Sequence, residues 1–127
     1  MIKPFMKSVR AFNEAAGNIT EPRPYFPHWD VRMLQISLLA EEFQEYLNAE
    51  DDNDMVKVAD GLGDLMVVIA GTALRYGIDL DGVLEEICRS NMTKVVNGEV
   101  IKSAQGKILK PLGYEAPNIK AVLWPEV

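Results

Sequence analysis

Two short acidic signatures separated by one polar connection set the strongest limit on how this chain can fold. Glu41, Glu42 and Glu45 lie in the stretch 38–46, whose apolar spacing is helical, and Asp60 and Asp64 lie inside a second helical stretch around 59–66. Residues three or four apart share a helix face, so Glu42 is paired with Glu45 and Asp60 with Asp64. The segment 48–54 between them is polar, short and rich in helix-capping residues, which predicts an antiparallel helical hairpin. Both pairs stand at nearly equal sequence distance from its middle, so the hairpin should bring them face to face. Carboxylates that converge in this way repel one another unless a cation sits among them.

The rest of the chain reads as support for that hairpin. Phe5, Met6, Val9, Phe12 and Ala16 recur at helical spacing and predict a first amphipathic helix over about 3–16. Pro22, Pro24 and Pro27 make the following segment a loop. The second helix is predicted from about Asp30, as N-cap, to Asn48, with Met33, Ile36, Leu39, Phe43, Tyr46 and Leu47 as its core stripe. The third starts near Asn53 or Asp54 and ends at Gly77. Its core stripe is Met55, Val58, Leu62, Leu65, Met66, Ile69 and Ala73. No residue from Leu65 to Leu74 is charged, and a helix that is apolar all round is buried all round.

Asp79 or Asp81 is expected to cap a fourth helix with Leu84, Ile87, Cys88, Met92 and Val95 turned inward. Asn97-Gly98 is a turn signal about which Val95-Val96 and Val100-Ile101 could pair as a short hairpin. The remainder, with Gly106, Pro111, Gly113 and Pro117, reads as loop. There is no repeat, linker or low-complexity tract. The expectation is therefore a single all-α domain over 1–127, four-helix-bundle-like, with a loop or short hairpin as its C-terminal tail. Its apolar faces exceed what one such domain can cover, which predicts a homodimer or homotetramer.

A net charge of −6 and the lack of any basic face argue against nucleic acid as a partner. A small phosphorylated ligand remains compatible with that charge if a metal or local lysines offset the repulsion. The one cysteine, Cys88, provides no disulfide framework and is expected to be a small buried side chain in a reducing compartment. The start of the chain has no apolar signal region, and the apolar run 65–74 is about half a membrane span. A cytoplasmic protein without a membrane partner is expected.

The plainest reading of Glu41, Glu42, Glu45, Asp60 and Asp64 makes them solvated helix faces. Three features speak against it. The pairs stand at matched heights, no lysine or arginine lies four residues from either pair, and the adjoining sequence is apolar. An all-oxygen cluster without histidine suits Mg²⁺ or Mn²⁺ rather than zinc. A di-iron bundle would use Glu-x-x-His pairs, and the one histidine, His28, lies in the proline loop. Neither a Gly-rich phosphate loop ending in Lys-Ser/Thr nor a Gly-x-Ser-x-Gly elbow is present. Gly61 and Gly63 lack the preceding strand of a dinucleotide site and suit close helix packing instead. Asn91 and Lys94 share a helix face, where the lysine could neutralise a phosphate.

Glu41-Glu42-x-x-Glu45, followed by an acidic pair ending in Asp64 on the next helix, resembles the MazG-type all-α nucleoside triphosphate pyrophosphohydrolases. These are related to the dimeric dUTPases and the phosphoribosyl-ATP pyrophosphohydrolases. The likeness continues through Gly71-Thr72-Ala73, Ser90-Asn91-Met92-Thr93-Lys94 and the Gly106–Pro111 stretch, and so covers about Arg32 to Pro117. The family's second element is Glu-x-x-Asp. Its Asp matches Asp64 and its Glu falls at Gly61, so Asp60 would stand in for it.

The resemblance implies Mg²⁺-dependent hydrolysis between the α- and β-phosphates of a nucleotide, giving a monophosphate and pyrophosphate. On that basis Glu42, Glu45, Asp60 and Asp64 hold Mg²⁺, or Mn²⁺. Glu41 joins Glu42 and Glu45 as a catalytic acid that orients water or meets a further metal. Asn91, Lys94, Lys107 and Lys110 hold the nucleotide and its phosphates. Two alternatives stand beside this reading. One is phosphoribosyl-ATP pyrophosphohydrolase activity in histidine synthesis. The other is a non-catalytic nucleotide- or metal-binding oligomerisation module, which has no evident need for a self-repelling cluster.

Overall fold

A computed structural model describes residues 3–126; Met1, Ile2 and Val127 lie outside the described residues. The chain is all-α. Among the described residues the helices are α1 (Lys3–Ala15), α2 (Trp29–Asp51), α3 (Met55–Tyr76), α4 (Leu80–Met92) and α5 (Ile119–Leu123). Two compact units are formed, one running up to Ile78 and the other starting at Asp79. No helix among the described residues is long and apolar enough to cross a membrane.

In the first unit α2 packs along α3 to form the expected hairpin, and α1 packs on α3. The connection is shorter than the polar segment suggested, because α2 continues through Asn48 to Asp51. Asn53 takes a positive φ of 50° there, and Asp54 then caps α3 by accepting from the Val56 and Lys57 amides. At the other end α2 starts at Trp29, and the cap is His28 rather than Asp30. The His28 Nδ1 accepts from the Asp30 amide at 3.3 Å. A ring nitrogen placed two residues ahead satisfies the same free N–H that an Asp or Ser cap would.

The helix contacts are made by small and polar residues, which corrects the predicted core stripes. Buried in this unit are Val9, Asn13, Gln35, Ala49, Gly61, Ala70, Gly71, Ala73 and Leu74. Met33, Ile36, Phe43, Met55, Leu62 and Met66 are exposed instead. Helices that approach closely do so over small side chains, and larger ones are displaced to the flanks. At Gly61 an added Cβ would lie 3.2 Å from the Tyr46 Cα on α2, and at Gly71 it would lie 3.3 Å from the Asn13 amide nitrogen on α1. The polar members of this core are hydrogen-bonded, as burial requires. Gln35 Nε2 donates to Thr72 Oγ1 at 2.8 Å, and Asn13 Nδ2 donates to the Val9 carbonyl at 2.9 Å.

The proline loop lies over the end of α3. The amides of Glu21 and Tyr25 donate to the carbonyls of Leu74 and Tyr76, which satisfies groups left free at a helix C-terminus. Gly77 ends α3 in the left-handed region at φ 67°, and an added Cβ would overlap the Arg23 carbonyl. Glycine is therefore required there by conformation and by space.

In the second unit Asp79 caps α4 by accepting from the Gly82 amide at 3.0 Å. One side of α4 holds the tail. Ser90, which is fully buried, donates to the Glu115 carbonyl at 2.7 Å, and Thr93 Oγ1 accepts from the Glu115 amide at 2.9 Å. Arg89 bridges Glu86 and Glu115, while Glu86 also accepts from the Asn118 amide at 2.6 Å. Cys88 is exposed, against expectation, because the side of α4 that meets the tail runs through Glu86, Ser90 and Thr93. Val95 lies beyond the end of α4.

The Asn97-Gly98 turn forms with φ values of 53° and 78°, closing one bridge between Val96 and Glu99. The hairpin goes no further. Ile101 pairs with Leu109, whose amide donates to its carbonyl at 2.7 Å, around a second turn that contains Gly106.

Candidate metal centre

The hairpin places Glu42 and Glu45 on α2 opposite Asp64 on α3. One carboxylate oxygen from each lies within 4.8 Å of the others. Two turns of geometry produce this: a three-residue step on α2 puts both glutamates on one side, and the short 52–54 connection fixes the height of Asp64 against them. Glu42 is half-buried and Glu45 exposed. The Oε2 of Glu42 is buried and has no hydrogen-bond partner. A buried acceptor without a donor is unfavourable by roughly 1–3 kcal/mol, more for a charged group, and natural proteins keep few of them.

Burial first, then the charges of Glu45 and Asp64, with Glu41 adding to them, push the Glu42 carboxyl above its ordinary range. No arginine or lysine salt-bridges to any of the three among the described residues. Three oxygen donors, mutual repulsion and one orphaned buried oxygen fit a hard divalent cation. The donor set includes neither sulfur nor imidazole, which disfavours zinc.

The other acids fall outside this group. Asp60 is exposed and lines an adjoining cleft of about 220 Å³ with Glu45, Asn48, Ala49, Asp52, Lys57 and Gly61. The structure thus brings together three of the four expected ligands and not Asp60. Gly61, the next residue, is buried against α2, where an added Cβ would lie 3.2 Å from the Tyr46 Cα. Glu41 is exposed on α2, next to the triad in sequence.

Asn91, Lys94, Lys107 and Lys110 belong to the second unit. Lys94 Nζ donates to Asn91 Oδ1 at 3.3 Å. Lys94 and Lys110 both approach the ring of Tyr114, with their Nζ atoms 5.7 and 5.2 Å from its centroid. Lys107 sits in the separate turn, its amide donating to Ser103 Oγ at 3.1 Å. Tyr114 is a residue that sequence reasoning passed over, since nothing in its spacing ties it to either lysine.

The profile of the phosphoribosyl-ATP pyrophosphohydrolase family matches residues 9–91, more than half of the chain. The chain belongs to that family. The match contains all three carboxylates of the triad and ends at Asn91, so Lys94, Lys107, Lys110 and Tyr114 lie beyond it. An uncharacterized protein of Acanthamoeba polyphaga mimivirus is 29% identical over 80 residues, covering 61% of this chain and 32% of the viral protein. The chain thus spans about a third of that relative's length.

Proposed function

We propose that this protein hydrolyses a nucleoside triphosphate between its α- and β-phosphates, releasing a monophosphate and pyrophosphate. The observation that carries this reading is the buried, unpartnered Glu42 oxygen within a triad completed by Glu45 and Asp64. A divalent cation, Mg²⁺ or Mn²⁺, would neutralise the triad when bound and supply electrostatic stabilisation to phosphate oxygens and an acidified water. Glu42 and Glu45 from α2 and Asp64 from α3 are the residues that would hold that charge. Glu41 accepts a hydrogen bond from the attacking water and orients it for in-line displacement. Asp60 faces the adjoining cleft and takes no part in the triad itself.

The family match supports a second substrate, phosphoribosyl-ATP, which presents the same anhydride to the same acids. Membership in a family of pyrophosphohydrolases favours either enzyme over a non-catalytic module. Both substrates belong in one experiment: the full chain with Mg²⁺, a panel of nucleoside triphosphates and phosphoribosyl-ATP, reading pyrophosphate against orthophosphate. Pyrophosphate is expected from at least one of them. Orthophosphate as the sole product would exclude cleavage at the α–β bond.

The partner we propose besides the nucleotide is a second copy of the chain. Met33, Ile36 and Phe43 on α2 and Leu62, Met66 and Ile69 on α3 repeat at helical spacing, and all are at least a third exposed. Apolar stripes of this extent on two adjacent helices mark an association surface. A self-complementary face closes as a symmetric dimer.

A further inference from the structure

In a chain with a net charge of −6, two lysines are gathered on one aromatic ring and neither is salt-bridged among the described residues. We propose that Tyr114 is a positioning residue that assembles Lys94 and Lys110 into a polyphosphate-binding site on the second unit. The local structure explains how. Thr93 holds the Glu115 amide at 2.9 Å, so the residues next to each, Lys94 and Tyr114, become neighbours. The turn that begins at Pro111 closes with the Tyr114 amide donating to the Pro111 carbonyl at 3.1 Å, which brings the ring back towards Lys110. Tyr114 is thereby fixed from both sides, and it receives one ammonium through each connection.

Such an arrangement is chemically specific. The negative face of a π-system attracts each ammonium without consuming its charge. Glu115, next to Tyr114 in sequence, pairs with Arg89 at 3.0 Å and forms no salt bridge with either lysine among the described residues. Asn91 accepts from the Lys94 ammonium and leaves its own amide N–H₂ able to donate to an anion. The result is two charges held on one ring, with an amide beside one of them, which matches a chain of phosphates better than a single carboxylate. Lysines provide point charges for phosphate rather than a planar fork, so the site reads charge and spacing and not orientation.

The ligand class rests on the nucleotide reading above, so the test is made without turnover. The full chain, in chelator and low salt, is treated with an amine-acetylating reagent with and without inorganic tripolyphosphate. Tripolyphosphate should slow acetylation of Lys94 and Lys110 together and leave Lys120 unchanged. Tripolyphosphate affinity should then fall about three- to fivefold in Tyr114→Leu, the size of an exposed charge–ring contact. Tyr114→Phe should keep the parent's affinity, because the ring face is retained.

If Tyr114→Leu unfolds, the protection pattern of the parent and the Phe variant decides alone. Lysines acetylated at the same rate with and without tripolyphosphate would overturn the proposal. Parent affinity in a folded Tyr114→Leu would overturn it equally. Protection of both lysines in a protein that releases no pyrophosphate would leave this site standing and reject the hydrolase reading.

Discussion

A carboxylate oxygen of Glu42 lies within 4.8 Å of one from Asp64, although the two residues belong to different helices of the hairpin. Like charges held across a packed interface work against the packing that holds them. The tension between fold and site generates the first two predictions.

The first concerns pH in the absence of metal. Burial and the neighbouring Glu45 and Asp64 raise the Glu42 carboxyl in the folded protein. A raised folded value means that the native state binds more protons than the unfolded chain. The stability from this group is thus complete below the ordinary carboxylate range and is lost as pH rises through the folded value. Melting curves in chelator between about pH 4 and 7 should show the parent losing stability with rising pH, and Glu42→Gln losing less. A variant that follows the parent at every pH would remove Glu42 as the source.

The second concerns ligand linkage. Mg²⁺ that binds only the folded triad should raise stability by about 2.7 kcal/mol at a hundred times its dissociation constant. Glu42→Gln and Asp64→Asn should each forfeit most of that gain. Thermal shift with and without Mg²⁺ checks it, and equal gains in all three proteins would place the ion elsewhere.

The third uses two glycines two positions apart on α3. An added Cβ at Gly61 meets the Tyr46 backbone at 3.2 Å, whereas at Gly63 nothing lies within 4 Å. Gly61→Ala should destabilise by about 1–2 kcal/mol, because overpacking against backbone outweighs the better helix propensity. Gly63→Ala should stabilise by about 0.5–1 kcal/mol through propensity alone. Urea midpoints at constant slope distinguish the two. Equal and favourable shifts would mean that α2 and α3 are not closely packed there.

That contrast also shows what could be read in advance. The hairpin, Asp54 and Asp79 as caps, Gly77 as terminator and the triad Glu42, Glu45 and Asp64 follow from local rules: capping, periodicity and face-sharing. What escaped was set by approach distances between helices. Periodicity identifies an apolar stripe such as Met33, Ile36 and Phe43 but does not say whether it meets the chain's own helices or a partner. Small residues such as Ala49 and Ala70 carry little hydropathy signal, and yet they are buried; of the two glycines expected to permit close packing, Gly61 lies against Tyr46 and a Cβ at Gly63 would meet nothing within 4 Å. Asp60 shares a helix face with Asp64, but a turn further towards the connection it faces a cleft and not Glu42. Tyr114 is brought to Lys94 by the hydrogen bonds that tie Glu115 to Ser90 and Thr93, tertiary links without a sequence signature.

The fourth prediction concerns the tail. Hydrogen bonds from Arg89 and then from the Asn118 amide hold the Glu86 carboxyl down at about 2. A depressed value means stability that is present above the ordinary carboxylate range and lost as pH falls towards about 2. Glu86→Ala should therefore loosen the start of α5 at neutral pH while leaving α2 and α3 unaffected. Hydrogen exchange at the Asn118 amide should accelerate in the variant. Unchanged protection there would show that Glu86 does not hold the tail.

The fifth concerns association. The exposed stripes on α2 and α3 should place the protein at twice the 14.2 kDa chain mass or higher at micromolar concentration. Ile36→Glu combined with Met66→Glu should reduce that mass towards a single chain. Light scattering that gives one chain for the parent would leave these faces without a partner of the same kind.

The most direct test of the central claim compares pyrophosphate release by the parent and by Asp64→Asn, with Mg²⁺ and the best substrate from the panel. Asn keeps the shape of Asp and removes one charge from the triad. The account predicts that the parent forms pyrophosphate and monophosphate in equal amounts, that chelator abolishes the reaction, and that the folded variant is slower by about a hundredfold or more. Pyrophosphate release by Asp64→Asn at the parent's rate would contradict it.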